Sequence, residues 1–427
     1  MKVRVLFISI TCAILMSGCE APDIDLYGKI EDIFGDFGKE ETVTGKDGEN
    51  VTQEIIIIND YDKDDKNNAA SDTQTTTPRE NSIKPVGIRD IENVANTYAY
   101  DSLDEHEKII YDEIYNIITG FQTGGYLSSL DTDEIDHAFT CMLIDHPEIF
   151  YVKGYSIKTY TRGGKIEKIL MSGSYTMNEN EILSCKSVID RYVDECESTI
   201  PLDADDYTKV KKVYEFIIRN TDYDKDAPNN QNLISVFRDN KSVCQGYAKG
   251  MQYILNDLGV FCTLVEGSVK EGESHVWNLV KVDGEFYYVD PTWGDASYNL
   301  VTEESGDSAF IPPEVNYDYL CTTTEEIKKS HLINATIPMP ECTHMEANYY
   351  VREGLFFEGV NEEALDKAFI RAYNAYEETL TLKCSNEQVY SDMKYYLLEK
   401  QKVFNYLRDT SVSYVEIPEQ NEIMFYL

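Results

Sequence analysis

Ser274-His275-Val276-Trp277-Asn278-Leu279-Val280-Lys281-Val282-Asp283-Gly284-Glu285-Phe286-Tyr287-Tyr288-Val289-Asp290 reads as two strands joined by a two-residue turn. Asp-Gly between β-rich runs is a strong hairpin signal, because the favoured turn needs left-handed backbone at both central positions. With Asp283-Gly284 as that turn, Val282 faces Glu285, Val280 faces Tyr287 and Trp277 faces Asp290. Side chains alternate faces with a period of two, so His275, Trp277, Leu279, Tyr288 and Asp290 share one face. His275 and Asp290 become diagonal neighbours roughly 7–8 Å apart, within reach of a side-chain hydrogen bond.

Upstream lies Ser242-Val243-Cys244-Gln245-Gly246-Tyr247-Ala248. From Cys244 the apolar positions recur at Ala248, Met251, Leu255 and Leu258, and Gly259 follows as the expected residue after the helix end. Cys244 therefore falls in the first turn of a helix. The unpaired N–H groups and positive dipole end of such a turn stabilise a thiolate. Gly246 is expected to keep the backbone open to a substrate, and Gln245 to wall the site with it.

A thiol at a helix start, an imidazole and a carboxylate able to fix its tautomer are the parts of an activated cysteine nucleophile. Each has a bland reading: a buried core thiol, a satisfied strand histidine, and a turn-forming Asp before Pro291. Their register on one hairpin favours the functional reading. The chain's two tryptophans, Trp277 and Trp293, flank the same face and are expected to exclude water from it.

The blocks V-C-Q-G-Y-A (243–248), S-H-V-W-N-L-V (274–280) and Y-Y-V-D-P-T-W-G-D (287–295) resemble the signature blocks of the transglutaminase-like superfamily, whose core is similar to that of papain-like cysteine peptidases. Asn220 to Asp224 also resembles the segment such domains carry before the cysteine helix, and with D-H-P-E-I-F-Y (145–151) the whole resembles exported bacterial lipoproteins carrying such a domain. It implies Cys244 as nucleophile, His275 as general base and later acid, and Asp290 as orienting carboxylate. Its implied fold is α+β, a papain/transglutaminase-like core with the Cys helix packed on an antiparallel sheet carrying His and Asp. The backbone N–H of Cys244 is one expected oxyanion donor, and the second is open between Gln231 and another side chain before the helix. The reaction also stays open. Water resolving a thioester makes a peptidase or deamidase, with a modest lean that way, and an amine makes an acyltransferase. The alternative from another class is a non-catalytic binding or scaffold lipoprotein that keeps the fold.

Outside the core, Lys2 and Arg4 precede an apolar run to Met16 and then Ser17-Gly18-Cys19. That run is too short to cross a bilayer of ~30 Å and has the order of an export signal. Small residues before Cys19 resemble a lipobox, with Met16 where leucine is usual, implying residues 1–18 as signal peptide, lipid on Cys19 and an extracytoplasmic membrane-anchored protein. Residues 20–81 hold 17 acidic and 6 basic side chains, and 19–97 is expected to be an acidic flexible tether. Ile55 to Ile58 interrupts it, as either a docking strand or a sticky segment kept soluble by Glu54 and Asp60.

The remaining divisions expected are an α+β lead-in at 98–200, the catalytic core at 201–324, and an α/β extension of helices and strands at 325–427. The lead-in histidines His106, His137 and His146 read as structural or surface groups, and His331 as structural or at the site's edge. Cys342-Thr343-His344 is too isolated for a zinc site, and no metal or cofactor is expected. Cys185 and Cys196 sit three helical turns apart, roughly 16 Å, too far to bond.

The 427 residues carry 77 acidic against 38 basic side chains, a net charge of −39. Such a balance excludes a nucleic-acid binder relying on Lys and Arg, and a basic membrane patch. Residues 82–427 hold −30 of that charge, so the folded part is itself acidic and is expected to favour basic protein or peptide substrates, acting as a monomer.

Overall fold

The computed structural model describes the backbone of residues 41–44 and 49–57, and residues 97–270, 272–295 and 313–427. The expected signal peptide, Cys19 and most of the expected tether lie outside them. Within the tether span, Glu41–Thr44 (β1) and Glu49–Ile57 (β2) are strands rather than flexible chain. Ile55, Ile56 and Ile57 pair with Ser156, Tyr155 and Gly154, which resolves the open reading of this run toward a docking strand.

The lead-in follows as Glu105–Thr119 (α1), Gly125–Tyr126 (β3), Thr132–Asp145 (α2), Val152–Arg162 (β4), Lys165–Tyr175 (β5) and Glu179–Glu197 (α3). Asp104 caps α1 through a reciprocal box with Glu107, and Asn178 caps α3 likewise with Glu181, which explains why both helices begin where they do. Gly163 and Gly164, both at positive φ, turn β4 back as β5. The sheet order is β1-β2-β4-β5-β3. Residues 146–151 form turns between α2 and β4, and the strand starts at Val152.

Asp206–Asn220 (α4), the short pair Asp222–Tyr223 (β6) and Lys241–Ser242 (β7), and Cys244–Asp257 (α5) lead into an antiparallel sheet. Its strands are Cys262–Val269 (β8), Ser274–Val282 (β9), Glu285–Val289 (β10) and His331–Ile333 (β11), in the order β10-β9-β8-β11. β11 lies beyond Thr324, so the core sheet reaches into the span expected to be the extension. The stretch 316–324 is not a strand but a 3-10 turn at Tyr317–Tyr319 followed by irregular chain, with Cys321 at φ +53. It still bridges β10, because Tyr288 and Thr322 exchange both backbone hydrogen bonds.

The C-terminal part holds Phe356–Phe357 (β12), Glu362–Ala375 (α6), Thr379–Cys384 (β13), Glu387–Lys394 (α7), Ser413–Ile417 (β14) and Glu422–Tyr426 (β15). Its sheet runs β12-β13-β15-β14, with β12 parallel to β13 and the other pairs antiparallel. Pro418, which cannot donate to a ladder, sits in the turn between β14 and β15.

The core sheet has two differently occupied faces. Val276, Val280, Tyr287 and Val289 join the main core with Ala248, Met251 and Leu255 of α5. On the opposite face Val265, Trp277, Leu279, Tyr288, Tyr319 and Ile327 form a second apolar cluster. The alternation expected from sequence is thus the partition between two cores.

Candidate functional site

Asp283 at φ +52 and Gly284 at φ +91 form the expected turn, and β9 and β10 pair as Val282 with Glu285, Val280 with Tyr287 and Asn278 with Val289. One further step in that register puts Asp290 opposite Trp277. His275 Nε2 lies 2.7 Å from Asp290 Oδ2, with both side chains buried. The backbone N–H groups of Thr292 and Trp293 donate to Asp290 Oδ1 at 2.9 and 3.1 Å. The turn that Pro291 opens therefore holds the carboxylate in place.

Cys244 is the first residue of α5. Val243 before it is extended and no side chain caps the helix start. Asn278 Nδ2 donates to the Ala248 carbonyl at 3.0 Å, joining β9 to α5. Cys244 is half-buried and lines the same cleft as His275, whereas the other seven cysteines of the described residues are buried and form no disulfide. Cys185 and Cys196 are unbonded, as their separation predicts.

Burial by itself pushes the His275 imidazolium down, but Asp290 and then Cys244 outweigh it and lift it to about 10. Burial likewise pushes Asp290 up, yet the two histidines on it hold it well below the usual carboxylate range. The arrangement favours the charged pair, His275 as imidazolium on Asp290 as carboxylate.

A cleft of about 240 Å³ opens beside these groups, lined by Cys244, His275, Gln245, Gln231, Tyr223 and Ser274 among others. Lys225 and Glu273 meet at 2.6 Å on its lining. Gln231 is thus within the cleft, and its carbonyl accepts from the buried Lys249 Nζ at 3.3 Å. Of the four expected wall residues only Gln245 lines it. Trp277 stacks on His275 at 5.8 Å and 22°, and Trp293 meets the same ring edge-on at 6.5 Å, so the indoles seal the buried side behind the imidazole.

Gly246 has a different reason from the expected one. A Cβ there would strike Ser242 Oγ and crowd the carbonyls of Asn230 and Asn232. Ser242 Oγ itself is held by Ser235 Oγ at 2.7 Å and donates to the Asn230 carbonyl at 2.8 Å. Glycine here lets the helix pack on the loop beneath it rather than admitting a substrate.

His331 enters the site more closely than its sequence context indicates. It is buried on β11, and its Nε2 lies 2.9 Å from the same Asp290 Oδ2. His275, Asp290 and His331 bring one ligand atom each within 4.8 Å, a spacing open to a metal ion. Here those atoms face one another at hydrogen-bond distance, so a cation would have to replace both ring protons. Cys342 and His344 do not converge: the thiol is buried against the Pro340 carbonyl and the imidazole lies by Glu285 and Glu346. His106, His137 and His146 lie beside Glu134, Glu107 and Glu148, away from the cleft. Among the described residues no helix is long and apolar enough to cross a membrane.

Residues 196–291 match the family model of the transglutaminase-like superfamily. Kyphoscoliosis peptidase of Mus musculus is 27% identical over 115 residues, covering 23% of this chain and 17% of that protein. The Homo sapiens protein of the same name matches to the same extent. The chain thus spans 17% of the length of these curated relatives. A solved structure described as a TGase overlays with a TM-score of 0.25 at 16% identity, over 38% of this chain and 48% of that one. The periplasmic domain of TgpA from Pseudomonas aeruginosa overlays with a TM-score of 0.21 at 10% identity, over 34% and 73%. Scores this low add nothing to the family match.

Proposed function

We propose, on the premise that residues 196–291 are a transglutaminase-like domain, that this chain is a cysteine acyl-transfer enzyme acting on protein or peptide amides. The observation that carries the reading is the placement of Cys244 and His275 on one open cleft, with Asp290 buried behind His275 at 2.7 Å. His275 Nε2–H donates to Asp290, and Nδ1 carries the proton taken from the Cys244 thiol, so the resting pair is imidazolium and thiolate. The thiolate attacks the amide carbon, and the oxyanion that forms is met by the N–H of Cys244 and a donor from the cleft wall, Gln231 or Gln245. On collapse the C–N bond breaks, the leaving nitrogen takes the proton from His275, and a thioester on Cys244 remains. Water, deprotonated by His275, then attacks the thioester, releases the acid and regenerates the thiol.

Hydrolysis is the favoured outcome, as peptidase or deamidase. Attack by an amine instead would join two chains. The location proposed for the chemistry is the extracytoplasmic face of a membrane, with lipid on Cys19 as the tether.

The test incubates the mature chain with a glutamine-containing protein and a labelled amine, following ammonia, new chain termini and incorporated label together. Ammonia without label identifies a deamidase, new termini a peptidase, and label an acyltransferase. No product of any kind, with Cys244 unmodified by substrate, contradicts the proposal.

A further inference from the structure

Asp290 is fully buried, and a carboxylate has about four acceptor positions. Two backbone N–H groups engage Oδ1, while His275 and His331 both point Nε2 at Oδ2. His331 is not free to choose its tautomer. Its Nδ1 lies 2.7 Å from Ser330 Oγ, and the Tyr319 hydroxyl donates to that same oxygen at 3.3 Å. The competing acceptor for the Ser330 proton, the Ile327 carbonyl, is farther away at 3.5 Å. Asp290 as a carboxylate can only accept, so the proton of a neutral His331 sits on Nε2, and Nδ1 is left to accept from Ser330 Oγ.

We infer that His331 is a positioning residue of this site: its Nε2–H fixes the Asp290 carboxylate and takes up charge that would otherwise bind the proton of His275 more tightly. This deepens the acyl-transfer reading and rests on it, because the consequence falls on the proton His275 must return to the leaving nitrogen. A second neutral donor on the same oxygen moderates the ion pair without adding charge. Burial keeps His331 below its ordinary value, so it stays a neutral donor beside the charged His275. The titratable groups facing the pair are Asp290, Cys244 and Tyr319, with Tyr214 acting on Asp290 from α4. Trp277 and Trp293 close the enclosure around both rings.

The test uses the full chain labelled with 15N on histidine, whose six residues are few enough to assign by substitution, and needs no turnover. In the unsubstituted protein His331 should appear as the neutral Nε2–H tautomer across the neutral range. A His331 protonated on Nδ1 instead overturns the inference. In His331→Phe the titration midpoint of His275 should rise by roughly one unit, the effect of losing one moderate hydrogen bond. His331→Gln, which keeps an N–H donor of similar reach, should restore the midpoint to near its original position. An unchanged midpoint in His331→Phe, or a His331→Gln variant titrating like it, overturns the inference. Should His331→Phe fail to fold, the native tautomer and His331→Gln still decide. Failure of the acyl-transfer reading registers separately, as absent product in the ammonia, label and terminus assay while these ring signals stand.

Discussion

Asn278 Nδ2 and the Ala248 carbonyl are 3.0 Å apart, and that bond sets the distance between the strand bearing His275 and the helix bearing Cys244. Both residues are buried, so removing the amide loses a bond and leaves space that cannot collapse fully. Asn278→Ala should destabilise the protein by about 1–3 kcal/mol. It should also slow alkylation of Cys244, read by denaturant unfolding and mass-mapped labelling. Full stability in this variant would show that apolar packing alone aligns the two elements.

Gly246→Ala tests the packing role of that glycine. The added methyl meets Ser242 Oγ, which two hydrogen bonds hold in place. The cost should be about 1–3 kcal/mol, with Ser242→Ala in the same chain recovering part of it. Thermal melting of the two single variants and the double variant gives the coupling. Strict additivity would place the clash elsewhere.

A buried group of charges ties the C-terminal sheet to the core. Lys383 Nζ on β13 lies 2.5 Å from Glu422 Oε1 and 3.5 Å from Asp318 Oδ1, and the Tyr350 hydroxyl donates to Asp318 at 2.8 Å. Burial and the Asp318 charge push Glu422 up, while Lys383 outweighs burial to hold Asp318 down, so of the two carboxylates Glu422 gives up its charge more readily. Glu422→Gln should therefore cost under about 1 kcal/mol, whereas Lys383→Met strands a buried carboxylate and should cost about 3–5 kcal/mol. Equal losses in denaturant unfolding would refute this division of charge.

The His275 ion pair makes stability depend on alkaline pH. Its folded value near 10 exceeds the ordinary ~6.5, so its contribution is complete below about pH 6.5. It is then lost as pH rises through about 10. Asp290, shifted down, contributes above its unfolded value near 3.9 and loses that only as pH falls toward its folded one. Between pH 7 and 10 the wild-type unfolding free energy should fall, and His275→Ala should remove that component of the slope. Parallel pH curves for the two proteins would contradict it.

The hairpin was legible because its information is local: Asp283-Gly284 fixes the turn, and a period of two then places Asp290 beside His275. The start of α5 and its end at Gly259, at φ +76, follow from the same short-range chemistry. His331 lies 41 residues beyond Asp290, on a strand of three residues with no alternation to read. Its partner is set by strand pairing with β8, which no local signal specifies. Gly246 misled for a related reason, since a glycine near a nucleophile suits close substrate approach and close helix packing equally well. The β2 strand shows the same limit: four isoleucines announce stickiness, and only the partner strand decides where they go.

The central claim is that His275 activates Cys244, and alkylation by limiting iodoacetamide at neutral pH tests it most directly, with peptide mapping of every cysteine. The account predicts that Cys244 is modified ahead of the other cysteines and that His275→Ala, still folded, slows this by roughly tenfold or more. Equal labelling rates at Cys244 in both proteins would contradict it, since exposure alone would then explain the reactivity.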